Sequence, residues 1–206
     1  MVVRVKICGV RRVADAIRAA DLGADFIGIN FYPPSPRHVE LEQALEICRT
    51  VALDGRAKVV GVFVNATRDY ISERLERLRF DLVQFHGDED DAALAGWPVP
   101  VIRAVRIKDD APPPTAVEQV TADYILIDRF DPKLYGGTGR ALDLNRLAGF
   151  DLGRVFISGG LTPATVATAA ALSPYAVDVA SGVESAPGIK DEKKMRSFIA
   201  NAKSSG

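Results

Sequence analysis

The chain has 206 residues, 48% hydrophobic and 26% charged, with 26 Lys plus Arg against 27 Asp plus Glu. This is the composition of one large globular domain or two small ones, and it excludes a disordered or fibrous chain. A formal net charge of −1 gives no electrostatic case for nucleic acid or a membrane surface. No stretch approaches the ~18 uninterrupted apolar residues of a membrane span, and Met1–Lys6 lacks the apolar core of a secretory signal. Cys8 and Cys48 are too few for a disulfide framework, so a cytoplasmic protein with one buried core is the expectation.

In chain order, short runs rich in Val, Ile or Phe and bounded by Gly, Pro, Asp or Asn predict eight strands. They cover Arg4–Cys8, Phe26–Asn30, Ala57–Val64, Leu82–His86, Pro100–Val105, Tyr124–Asp128, Arg154–Ser158 and Ala176–Ala180. Helical spacing fills the gaps. Apolar positions in Val13–Leu22 share one face, and Leu41, Ala44, Leu45, Cys48 and Val51 recur at three- and four-residue steps. The segment from Thr67 turns Tyr70, Ile71, Leu75 and Leu78 inward. Thr162-Pro163 and Lys190-Asp191 read as helix starts, with Pro163 at the first helical position. The run Pro112-Pro113-Pro114 is too short to divide the chain. Strict alternation of strand and helix implies a parallel sheet covered by helices, and eight units favour closure into a (β/α)8 TIM barrel. No Gly-x-Gly-x-x-Gly follows the first strand, which counts against dinucleotide binding. Eight units in 206 residues leave about 26 each, near the lower limit for this barrel, so 1–206 is expected to be a single minimal domain. The units running from 26 to 57 and from 124 to 154 hold the spare length, after strands two and six.

A barrel of this kind keeps its chemistry at the C-terminal ends of its strands. Strands seven and eight end in Ser158-Gly159-Gly160-Leu161-Thr162-Pro163 and Ala180-Ser181-Gly182-Val183-Glu184. Glycines let backbone N–H groups turn toward an anion, and barrel phosphate sites are built at these two positions. Either motif alone reads as a tight turn; Gly159, Gly160, Ser181 and Gly182 together favour phosphate. Cys8 ends strand one, and alternation puts it with Lys6 and Arg4 on the inward face. It is either a small hydrophobe, as Cys48 is on its helix, or a base that needs a depressed thiol pKa. Asp128 ends strand six, where it caps a loop or serves as a general acid. The Tyr135-Gly136-Gly137-Thr138-Gly139 stretch beyond it has the flexibility of a lid. Arg37, on the stiff Pro33–Pro36 loop, is either solvated or a bidentate carboxylate clamp. His86 shares the inward parity of Gln84 and reads equally as structural or catalytic. The histidines and cysteines lack the spacing of a metal site, so neither metal nor cofactor is expected.

In joint order these residues are similar to the phosphoribosylanthranilate isomerase family of tryptophan biosynthesis, from Lys6 to about Ala202. The carriers are Lys6-Ile7-Cys8-Gly9, Phe31-Tyr32-Pro33 with Ser35-Pro36-Arg37, Gly61-Val62-Phe63-Val64-Asn65 and Gln84-Phe85-His86-Gly87-Asp88-Glu89. Gly136–Gly139, Ser158–Leu161, Val177–Glu184, Pro187-Gly188 and Lys190-Asp191 continue the series. The resemblance implies an Amadori rearrangement of N-(5-phosphoribosyl)anthranilate without cofactor. It implies Asp128 as general acid, Cys8 as general base at C2′, Arg37 on the anthranilate carboxylate, and the loops at Gly159-Gly160 and Ser181-Gly182 on the phosphate. The partner is then a small phosphosugar, with monomer and homodimer both open.

The chain departs from the family pattern at Phe85, at Asn30, at Ala180, and at Leu142-Asp143-Leu144 after Gly139. These touch lid packing and fine contacts, not the proposed acid, base or clamp. Rival readings are another ribose-phosphate barrel isomerase, or a non-catalytic phosphosugar-binding barrel with no need of both Cys8 and Asp128. Closure would also bring strand eight beside strand one, so Asp178 is expected to compensate Lys6 or Arg4 inside the barrel.

Overall fold

The computed structural model describes residues 2–107, 120–129, 143–147 and 149–204. Eight parallel strands close into a barrel in chain order, with β1 pairing β8. They are β1 (Arg4–Cys8), β2 (Phe26–Asn30), β3 (Lys58–Phe63), β4 (Leu82–Phe85), β5 (Val101–Ile107), β6 (Tyr124–Arg129), β7 (Val155–Ile157) and β8 (Ala176–Val179). The helices among the described residues are α1 (Val13–Asp21), α2 (Leu41–Asp54), α3 (Arg68–Arg77), α4 (Asp91–Leu94), α5 (Val166–Ala170) and α6 (Glu192–Lys203). A small hairpin, β9 (Glu184–Ala186) with β10 (Ile189–Lys190), follows β8. The Pro112–Pro114 run, the Tyr135–Gly139 stretch and Leu142 lie outside the described residues.

Period-two alternation explains the two cores. Outward residues such as Val5, Ile7, Ile27, Ile29, Val83 and Ile125 pack against the helices. Inward residues Phe26, Val60, Val62, Leu82, Ile102, Leu126, Phe156 and Ala176 fill the barrel. At its N-terminal end, rings of Phe26 and Phe156 lie 5.4 Å apart and those of Tyr124 and Tyr175 4.6 Å apart. Arg4 covers this plug, its guanidinium 4.4 Å from the Tyr175 ring centre. The opposite end is left to the polar side chains.

The strand positions match the sequence reading, with small shifts at their ends. β4, β7 and β8 stop before His86, Ser158 and Ala180, although His86 N–H still donates to Phe63 O and Ser158 N–H to Ile127 O. These residues leave the ladder to line the mouth. β5 runs on to Ile107, two residues beyond its expected end. The helix expected to start at Pro163 begins instead at Val166, because Thr165 Oγ1 takes the Thr162 N–H and closes a turn first. Asp191 does cap α6, accepting from Lys194 N–H at 3.0 Å, while Lys190 belongs to the hairpin. Thr67 caps α3 through Tyr70 N–H. No helix among the described residues is long and apolar enough to cross a membrane.

Candidate active site

A cavity of about 340 Å³ opens at the C-terminal ends of the strands, and Cys8, Arg37, His86, Asp128, Ser158 and Asp178 all face it. Four of these come from strand ends read off the sequence, and Arg37 comes from the loop after β2.

Cys8 points into the mouth, as alternation required. In register across β2 stands Gly28, where a Cβ would lie 2.8 Å from the Cys8 sulfur. A glycine inside an apolar strand signals such a close approach, a signal the sequence reading left unused. Gly9 has φ +71°, and a Cβ there would lie 2.5 Å from Arg37 Cδ. Gly28 therefore leaves room for the thiol and Gly9 for the arginine. The depressed thiol pKa expected for a base is not found. Burial pushes the Cys8 thiol up, against the opposing pull of Lys6 and Lys190.

Along the cavity floor, polar side chains form one continuous chain, with the buried Lys6 beneath it. Ser158 Oγ donates to Asp178 Oδ2 at 3.0 Å, and Lys6 Nζ reaches Asp178 Oδ1 at 2.7 Å. Lys6 Nζ also donates to Gln84 Oε1 at 2.8 Å. Gln84 Nε2 lies 2.8 Å from His86 Nδ1, and His86 Nε2 lies 3.2 Å from Asp128 Oδ2. Asp128 Oδ1 accepts from its neighbour Arg129 N–H at 2.8 Å. The expected compensation of Asp178 is thus made by Lys6; Arg4 is occupied at the other end of the barrel. Lys6 has no exposed surface, and burial works against its charge, yet Asp178 and Cys8 outweigh burial and hold its pKa above the ordinary value.

Arg37 is paired. Its Nε and Nη2 donate to the two carboxylate oxygens of Glu184 at 2.9 and 2.8 Å, which leaves Nη1 outside the pair. Lys190 Nζ, also buried, donates to Glu184 Oε1 at 2.8 Å, to Ala180 O at 3.0 Å and to Cys8 O at 2.6 Å. One ammonium thereby ties together the ends of β1 and β8 and the carboxylate that aims Arg37. Burial favours the neutral acid, but Arg37 and Lys190 hold the Glu184 carboxyl below the usual range. Sequence reasoning gave neither Glu184 nor Lys190 a role, because their partners are remote in the chain.

Asn30, a departure from the family pattern, builds the loop that carries Arg37. Its Oδ1 accepts from Tyr32 N–H at 2.8 Å, and Ser35 Oγ in turn accepts from Arg37 N–H at 3.1 Å. Phe85 faces away from the cavity, its ring 5.8 Å from that of Trp97 in the outer core. Ala180 lends its carbonyl to Lys190. Leu144 packs on the outer core at the start of a short 3-10 turn, Leu144–Leu147.

Gly159, Gly160, Ser181 and Gly182 are not among the residues lining the cavity, although they directly follow Ser158 and Ala180 in the chain, which do line it. Gly159 and Gly160 have φ +86° and +72°. A Cβ on Gly182 would fall 2.0 Å from Leu161 O, so the two loops press together at that glycine. Among the described residues, no group of three or more His, Cys, Asp or Glu side chains is placed to hold a metal ion.

Comparison with known proteins identifies the family. The model of the N-(5'phosphoribosyl)anthranilate (PRA) isomerase family matches residues 5–201. The chain belongs to that family. It is 45% identical to the N-(5'-phosphoribosyl)anthranilate isomerase of Myxococcus xanthus, over 99% of this chain and 98% of that protein. The crystal structure of the Thermotoga maritima phosphoribosyl anthranilate isomerase superposes with a TM-score of 0.87 at 34% identity, covering 98% of this chain and 99% of that one. A further family structure, at 36% identity, TM-score 0.82 and coverage of 98% and 99%, holds reduced 1-(O-carboxyphenylamino)-1-deoxyribulose 5-phosphate. The chain is accordingly an enzyme, a TIM-barrel isomerase of tryptophan biosynthesis.

Proposed function

We propose that the barrel mouth performs the family's Amadori rearrangement of N-(5'-phosphoribosyl)anthranilate with Asp128 as acid and Cys8 as base. The carrying observation is that one cavity is faced by Asp128 from β6 and by Cys8 from β1, with Arg37 on its rim. Ring opening and proton abstraction need an acid and a base at different positions around one sugar, and a barrel mouth separates them by fixed strands. Asp128 protonates the furanose oxygen; the C1′–O bond breaks, and the anthranilate nitrogen becomes a cationic iminium. Cys8, as thiolate, then removes the C2′ proton, and the electron pair flows to the iminium to give an enolamine. Protonation at C1′ and loss of the C2′ hydroxyl proton complete the ketose.

Because burial raises the Cys8 thiol pKa, its proton must first pass to solvent, and the nearby cationic iminium favours the thiolate so formed, an opposite charge replacing lost solvation. Arg37 offers its Nη1 group to the anthranilate carboxylate while Glu184 holds its other edge. The loops at Gly159-Gly160 and Ser181-Gly182 hold the phosphate, and a small phosphosugar is the ligand. We further place the enzyme in the cytoplasm, with residues 1–206 forming one barrel domain.

Anthranilate fluorescence falling as the purified protein consumes the substrate tests the activity. Cys8→Ala and Asp128→Asn should each lower kcat by roughly 10²–10⁴-fold, the usual worth of general acid–base catalysis. Unchanged turnover in both variants would refute the assigned roles.

A further inference from the structure

The buried chain that ends on Asp128 has a direction. Lys6 carries three donors and no acceptor, so the Gln84 amide must present its oxygen to it, as it does at 2.8 Å. The amide nitrogen then faces His86 Nδ1 at 2.8 Å. An amide nitrogen only donates, so Nδ1 must keep its lone pair, and the imidazole proton is left on Nε2. That N–H points at Asp128 Oδ2, 3.2 Å away. Turning the amide over would set two donors against each other at Lys6, and protonating Nδ1 would do the same at Gln84. Lys6 is itself anchored by Asp178 with 0% side-chain exposure, and Gln84, which takes part in both conflicts, is 1% exposed, so solvent gives little relief to either.

We propose that Gln84, oriented by Lys6, is a positioning residue that locks His86 as the Nε2–H tautomer, so that His86 donates to Asp128 and never accepts its proton. This deepens the assignment of Asp128 as general acid and rests on it. A carboxyl next to a free imidazole lone pair would lose its proton to the ring. A fixed N–H has no lone pair with which to take that proton, and its hydrogen bond stabilises the carboxylate that forms once the proton has passed to the sugar. His86 is thus a fixed dipole aimed where charge develops, and Gln84 works only through it.

Long-range ¹⁵N–¹H spectra of the wild-type enzyme test the lock directly, because the chain has only two histidines and a His38→Asn variant assigns the pair. At neutral pH His86 should show a protonated Nε2 and an unprotonated Nδ1. A protonated Nδ1, alone or in an imidazolium, overturns the proposal without any mutation in the network. In Gln84→Glu the new carboxylate accepts from Nδ1–H, freeing Nε2 to drain the Asp128 proton. His86 should then show a protonated Nδ1, and kcat should fall by ~10–100-fold with KM changed less than about threefold. A Gln84→Glu enzyme with the altered imidazole spectrum but unchanged kcat would equally overturn the lock's part in catalysis. Failure of the acid assignment reads out separately, as full activity in Asp128→Asn, because the wild-type spectrum does not depend on turnover.

Discussion

Cys8 sits where burial and charge pull on its thiol in opposite directions. Burial favours the neutral form, Lys6 and Lys190 favour the thiolate, and burial prevails. Alkylation of Cys8 by iodoacetamide, followed by mass spectrometry, should therefore keep accelerating above about pH 8.5, the ordinary thiol value, because the thiolate accumulates only beyond the raised pKa. A plateau below that pH would contradict it. Cys48 should stay unmodified in the folded enzyme, since burial and Asp81 push its thiol up to about 12. Gly28 is the other half of the same arrangement. Gly28→Ala would set a Cβ 2.8 Å from the sulfur and 3.1 Å from the Cys8 Cα, so the thiol and the strand must both shift; kcat should fall by about tenfold and the melting temperature should fall with it. Cys8, Asp128 and Arg37 were each legible as candidates because the chain order of a barrel puts strand ends at the active face. Gly28 was legible only in principle, as an unexplained glycine in an apolar strand.

At the scale of elements, the β9–β10 hairpin carries the groups that aim Arg37. Arg37→Ala should raise KM by ~10–100-fold with a smaller effect on kcat, the worth of a hydrogen bond between charged groups. Steady-state kinetics separates the two, and a kcat effect alone would exclude the clamp. Glu184 also links the hairpin to pH. Its folded-state pKa lies below the value in the unfolded chain, so its contribution to stability is present above about pH 4.3 and is lost as the pH falls through the lower, folded value. Glu184→Gln should accordingly show a smaller drop in melting temperature than wild type between about pH 5 and pH 3. Calorimetry at the two pH values decides this, and an equal drop would remove Glu184 from the acid response. None of it was visible in the Ala180–Glu184 motif, because Glu184 meets Arg37 across 147 residues of chain.

For the whole molecule, closure is the decisive event. Pairing β1 with β8 sets Lys6 in register with Asp178 and buries both. Lys6→Met would leave the Asp178 charge unpaired in the interior, and should cost about 3–5 kcal/mol in urea unfolding. Lys6→Met with Asp178→Asn should cost less than the single change, since the stranded charge is gone; additive losses would show that the pair is not coupled.

The sequence by itself determined the barrel and put Cys8, His86, Asp128 and Ser158 at its open end, because both follow from local rules. Eight apolar runs recur along the chain with helical spacing between several of them, and each run ends in a residue whose parity is readable. It also determined that Asp178 needs an inward cation, since a buried charge must be paired. Only the tertiary structure decided which cation, and that Gln84 and His86 complete a chain from Lys6 to Asp128. It alone put Glu184 and Lys190 around Arg37 and raised rather than lowered the Cys8 thiol. These depend on distances between residues remote in sequence and on burial, and a barrel fixes both only when its first and last strands meet.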